Sequence, residues 1–190
     1  MKRLFLILVL GTTFPALSWT QVINFGKTLP MRAFSFTVAP VYNVGNVFHR
    51  DLEGLSYMAM AGYGMGYNLD VNVKYGYYNE GIHLIAADMQ YLFRETRNSY
   101  YSFYGGLHKW EEYGIDLTVS YTHTPQYWAN LSVGLDMDAD FSSELELRAW
   151  IPLNFGINFD DRYFVFLEYN LPANERAWDI LTTGITFIFR

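Results

Sequence analysis

The chain has no cysteine among its 190 residues, which excludes a disulfide framework, thiolate-ligated zinc, a thiol nucleophile and an N-terminal lipid-modified cysteine. Charge is scarce as well: Asp, Glu, Lys and Arg together make up 17%, against about 25% in an ordinary soluble domain. Positive charge is the scarcer sign, with 13 Lys and Arg against 19 Asp and Glu, a net charge of −6. That balance speaks against docking on a phosphate backbone, and no nucleic-acid partner is expected. Long apolar runs are also missing. Leu4 to Leu10 spans seven residues, and no later run approaches the roughly 20 needed for a helix to cross a bilayer. Any membrane insertion further along must therefore use strands. What the chain has in quantity is aromatic side chains, 19% of the total with 16 Tyr and 15 Phe.

The length fits one domain. Residues 1–20 read as a secretory signal peptide: Lys2 and Arg3 give a positive start, Leu4 to Leu10 the apolar run, and Gly11 and Pro15 break it before the small residues Ala16 and Ser18. Cleavage is expected after Ser18 or Thr20, leaving residues 21–190 as the exported chain with a net charge of −8.

The rest alternates. From Glu144 to Phe159 the odd positions are Leu145, Leu147, Ala149, Ile151, Leu153, Phe155, Ile157 and Phe159, and the even positions are polar, small or interrupting. Period two held over 16 residues is a strand, because a helical period would scatter these apolar positions around its circumference. The parity survives Pro152, which predicts one long strand with a local break in its ladder. The same beat runs through Tyr127 to Met137, Ile115 to Thr122, Val71 to Tyr78 and Phe34 to Tyr42. Between Tyr57 and Tyr67 the small positions are Gly62, Gly64 and Gly66, read as close backbone approach or bending. The beat blurs at 82–93 and 163–170.

Turn signals at 68–70, 79–81, 94–99, 111–112, 123–126 and 160–162 separate ten expected strands, near 32–42, 55–67, 71–78, 82–93, 100–110, 114–122, 127–137, 144–159, 163–170 and 180–190. An even count puts both termini on one side. The long connections, 43–54, 138–143 and 170–179, then all fall on the opposite side.

Which face is wet separates a membrane barrel from a soluble one. Here the polar face carries Gly, Ser, Thr and Asn with sparse charges, Lys74, Asp88, Asp116, Asp136, Glu146, Arg148 and Glu168, as suits a narrow interior filled by paired side chains. Aromatics such as Tyr121, Tyr127, Phe159, Tyr163 and Phe189 mark strand ends on the apolar face, as in interfacial girdles. With its leader and this pattern, the chain resembles the small outer-membrane β-barrel proteins of Gram-negative bacteria, such as the OmpA barrel and OmpX. The likeness lies in pattern rather than in a motif, and the penultimate place of Phe189 before Arg190 departs from the family's usual aromatic end. It implies an all-β, closed antiparallel up-and-down transmembrane barrel of about ten strands, with eight or twelve as alternatives. It further implies an outer-membrane location, lipid and the barrel-assembly machinery as partners, and a monomer.

The chemistry on offer is thin. His108 and Asp116 lie on the polar face of adjacent strands, and with Ser102 or Ser120 they would compose a Ser-His-acid set able to deacylate a lipid. Barrels that deacylate lipid A carry a His-x-Ser pair, which none of His49, His83, His108 and His123 begins. Asp136, Asp138 and Asp140, with Glu144 nearby, suggest carboxylate ligands for a divalent cation, but Phe141 and Leu147 stand where an EF-hand needs Gly and Glu. The bland reading is that these acids mark where a strand leaves the membrane. The four histidines show no zinc spacing, and neither cofactor nor metal is expected. The function expected is a small outer-membrane barrel with a plugged polar lumen and a structural, surface-binding or limited small-solute role. A lipid A or phospholipid acyl hydrolase and a secreted lipocalin-like binder are the alternatives.

Overall fold

The computed structural model describes residues 26–44, 54–77, 83–110, 112–141 and 145–190; the leader, and with it residues 1–20, lies outside them. Ten strands follow in chain order: β1 (Phe34–Asn43), β2 (Gly54–Gly66), β3 (Leu69–Tyr77), β4 (His83–Thr96), β5 (Ser99–Lys109), β6 (Tyr113–Gln126), β7 (Ala129–Phe141), β8 (Leu145–Phe159), β9 (Tyr163–Pro172) and β10 (Ile180–Phe189). Each pairs antiparallel with its chain neighbours, and β1 pairs with β10, so the meander closes into a barrel. Closure leaves no strand edge unpaired, which is the condition for a sheet to sit in lipid. The eight- and twelve-strand alternatives are excluded.

Burial follows the sequence alternation with the apolar side outward. Along β1 every second residue is buried, from Ser35 to Asn43, while Phe34, Phe36, Val38 and Tyr42 are exposed. Leu131 and Leu147 are about half exposed on the outer wall (48% and 52%), and the inner wall holds Thr37, Asp116, Arg148 and Glu168, all buried. A lipocalin-like barrel would have the opposite polarity, so that alternative falls.

The two blurred segments have a common cause: both put apolar residues inside. β4 turns Leu84, Ala86 and Leu92 inward, and β9 turns Phe164 and Phe166 inward. The phenylalanines find room because glycines lie beneath them. A Cβ on Gly156 would strike the Phe164 ring, and one on Gly184 would strike the Phe166 ring.

The short turns at 67–68, 97–98, 127–128 and 160–162 share one end of the barrel with the start of β1 and the end of β10. We call this the turn end and the opposite one the loop end. Two expected connections are shorter than the sequence implied. The signal at 123–126 lies within β6, and β7 runs on to Phe141, into the expected connection 138–143. Asp138 and Asp140 thus do not mark where a strand leaves the membrane; both are buried inside the barrel. The reason is that a polar lumen lets a strand carry acids that read as loop. β8 is one strand across Pro152, with its pairing to β7 interrupted opposite Gly134 and Leu135. Pro40 has the same effect on the β1–β10 pairing, which skips Ala39 and Pro40.

Exposed aromatics gather towards both ends: at the turn end Phe34 and Tyr63 approach to 4.7 Å between ring centroids, Tyr163 and Phe187 to 5.8 Å and Tyr101 and Tyr121 to 5.0 Å, and at the loop end Tyr77 approaches the His83 ring to 5.5 Å.

Candidate functional site

The lumen collects the polar side chains, and it is organised in three levels. At the turn end, residues 26–29 cross it. Gly26 donates its amide to Thr122 Oγ1 (2.8 Å) and accepts from Ser102 Oγ (2.5 Å), on the β5–β6 side. Leu29 donates its amide to Asp70 Oδ2 (2.6 Å) on β3. A turn over Pro30–Ala33, with Arg32 at φ 65°, then feeds β1. Gly64 of β2 is what lets the segment lie there, since a Cβ on it would run into the Pro30 carbonyl oxygen, whereas a Cβ on Gly62 would first strike the Ser35 and Asn72 side chains. Close backbone approach is therefore the role of Gly64, and Gly62 makes room for neighbouring side chains.

At mid-depth, Lys74 Nζ contacts Asp88 Oδ2 at 2.5 Å, and Asn72 donates to the other oxygen of Asp88 at 2.9 Å. Thr118 donates to Asp136 (2.5 Å), and Asn154 and Asn170 both donate to Glu168 (3.0 and 3.1 Å).

At the loop end, His108 bridges two strands: Nδ1 contacts Asp116 Oδ1 at 2.6 Å and Nε2 contacts Asp140 Oδ1 at 2.8 Å. Arg148 donates to Asp140 Oδ2 (2.7 Å) and to Glu146 (2.5 Å). Gly114 is required beneath this chain, because a Cβ there would collide with both the His108 ring and Asp140. The β9–β10 connection folds back over the cluster. Trp178 is buried, its carbonyl accepts from Trp150 Nε1 (2.8 Å), its ring meets that of Trp150 edge-on at 5.5 Å, and the Arg148 guanidinium lies over it at 5.7 Å. Beside this charged wall, Val41, Met58, Leu84, Ala86 and Trp110 form an apolar one.

All seven polar residues singled out in the sequence face the lumen, and Arg148 meets Glu146 there. The expected triad fares differently. His108 and Asp116 do meet, but both imidazole nitrogens are engaged by carboxylates. Ser120 sits four residues along β6 from Asp116, about 13 Å at the strand rise, and Ser102 is six residues from His108, about 20 Å. Neither Ser102 nor Ser120 therefore reaches the histidine. The sequence placed Asp140 only in the acidic run at the end of β7 and did not show it as the shared partner of His108 and Arg148, nor did it show Trp178 or residues 26–29. The pairing of Asp140 and the place of Trp178 lacked a legible signal because their partners lie on other strands. On the outer wall a groove of about 530 Å³ is lined mainly by Leu131, Val133, Leu153, Phe155 and Leu167, the surface a lipid chain would cover.

No protein-family model matches the sequence, and no curated protein matches it significantly. Solved structures do match in fold. The COG4313 outer membrane channel from Pseudomonas putida F1 is 9% identical, with 90% of this chain and 100% of that chain covered and a TM-score of 0.54. The KdgM porin is 4% identical, covering 82% and 99%, with a TM-score of 0.51. The same porin in complex with disordered oligogalacturonate gives 5%, 82%, 99% and 0.52. The chain thus has the fold of outer-membrane β-barrels.

Proposed function

We propose that the protein resides in a bacterial outer membrane as a small barrel with a closed lumen, serving a structural or surface-binding role rather than steady diffusion of solutes. The observation that carries this reading is the double obstruction described above. Residues 26–29 bar the turn end, and the His108–Asp140–Arg148–Glu146 chain with Trp178 bars the loop end. Export by the N-terminal leader, insertion by the barrel-assembly machinery and a monomeric state belong to the same reading. So do the apolar outer wall and the aromatic ends, which suit a bilayer about ten strand residues thick.

The fold neighbours include channels, and one of them was solved with an acidic oligosaccharide. This lumen is poorly suited to such a ligand. Asp70, Asp88, Asp116, Asp136, Asp138, Asp140, Glu146 and Glu168 outweigh Lys74, Arg148 and His108 among the described residues. Any residual passage favours cations. The test is conductance of the purified protein in planar bilayers. We expect no steady open state, only brief cation-selective events. A stable conductance comparable to that of a porin would overturn the closed-lumen reading, and recovery of the protein in the soluble fraction without detergent would overturn the membrane one.

A further inference from the structure

One buried acid in the loop-end cluster lacks a counterpart. Asp116 and Asp138 stand directly opposite each other across β6 and β7. Asp138 is 0% exposed, and neither of its carboxyl oxygens has a hydrogen-bond partner among the described residues. A buried carboxylate without donor or cation is costly, and one facing a second carboxylate more so. Arg148, the register partner of Asp138 on β8, donates to Asp140 and Glu146, and Lys74 pairs with Asp88. On the third side stands His108, and one ligand atom from each of His108, Asp116 and Asp138 lies within 4.8 Å of the others.

We propose that His108, Asp116 and Asp138 are the three protein ligands of a divalent transition-metal site of the zinc class, inside the loop-end half of the lumen. The donor set is one imidazole nitrogen with two carboxylates, which suits zinc and its neighbours; calcium and magnesium prefer oxygen alone. Two carboxylates and a neutral imidazole balance a 2+ ion and remove the repulsion between Asp116 and Asp138. The support around the ring is already built. A metal-bound histidine characteristically donates its other N–H to a carboxylate. Here Nε2 meets Asp140 at 2.8 Å, and Asp140 is itself held by Arg148 at 2.7 Å. Nδ1 then turns to the metal. With metal–ligand bonds of about 2.0 to 2.1 Å, tetrahedral ligand atoms stand about 3.3 Å apart. The Nδ1 to Asp116 contact of 2.6 Å therefore has to open by less than about 1 Å. Three protein ligands leave the fourth position to water.

The test uses the full chain refolded in detergent at neutral pH with Zn²⁺ or Co²⁺, then dialysed against buffer with a weak chelator. We expect one ion per chain by atomic emission and a Co²⁺ absorption band of low-symmetry, four-coordinate character. Asp138→Asn should weaken retention at least tenfold while the barrel stays resistant to unfolding by SDS in the cold. A double His83→Ala, His123→Ala variant should retain its ion. Should Asp138→Asn fail to fold, zinc X-ray absorption on the wild-type protein reads the site directly, with one imidazole among oxygen ligands expected. Overturning results are no retained ion in the wild type, full retention by folded Asp138→Asn, loss in the double histidine variant, or a shell with two or more imidazoles. Absence of an ion in the wild type would leave a proton shared between Asp116 and Asp138 as the account of the pair.

Discussion

On the proposed closed-lumen reading, the two ends of the lumen are blocked by different means. At the turn end the obstruction is a separate length of chain, residues 26–29, held by hydroxyls, backbone groups and one carboxylate. At the loop end it is the wall's own side chains, ion-paired through His108, Asp140, Arg148 and Glu146. Neutral hydrogen bonds contribute about 0.5–1.5 kcal/mol each and one to a carboxylate about 1.5–3 kcal/mol, so the segment, with no ion pair among these bonds, can leave as a unit at modest cost. Stripping one partner from a buried ion pair costs about 3–5 kcal/mol. On that reading the turn end is the detachable closure and the loop end the fixed one.

The largest effect should come from breaking the fixed end. Arg148→Met leaves Asp140 and Glu146 without their guanidinium and should lower stability by about 3–5 kcal/mol, read by denaturant unfolding in lipid vesicles, with insertion retained. Wild-type stability in that variant would mean that the cluster does not hold the end closed. Next comes a reference outside either closure: Leu135→Arg on the lipid face should cost about 2–4 kcal/mol near mid-bilayer, and a neutral result would undo the assignment of that face. Gly114→Ala returns to the loop end and pushes a methyl into the His108 ring, with an expected loss of about 1–3 kcal/mol for overpacking. The smallest change is at the turn end. Thr122→Val removes the acceptor for the Gly26 amide and the partner of Ser132 Oγ (2.6 Å), costing about 1 kcal/mol per bond. Its sharper readout is faster amide exchange at Gly26 and Leu29 with bilayer conductance still near zero. If that substitution alone opened a steady conductance, the loop end would not be a closure at all.

Much of this was legible in the sequence, for a physical reason. A wall one residue thick, lipid outside and a polar interior, forces period two on every strand, and Glu144 to Phe159 shows it without interruption. The signal failed where the interior departs from polarity or the polar interior imitates a loop. Leu84 and Phe166 face inward and blurred β4 and β9, while Asp138 and Asp140 made the end of β7 look solvated. The loop-end cluster was half visible. His108 and Asp116 are eight residues apart across one short connection, but Asp140 reaches the ring only through the β6–β7 register, which sets Gly114 against Asp140 and Asp116 against Asp138. Residues 26–29 have no periodicity to read, since they belong to no sheet.

Nine of the ten strand pairings join segments adjacent in the chain, and each can form as soon as its hairpin exists. The tenth joins Phe34 to Phe189, so it waits for the last strand and bears the loop-closure entropy of the whole cylinder. This seam is also the one that Pro40 divides into two short ladders, Phe34–Val38 and Val41–Asn43. The order of assembly is thereby written into the wall: a curling ribbon of hairpins first, and a final zip along an interrupted line.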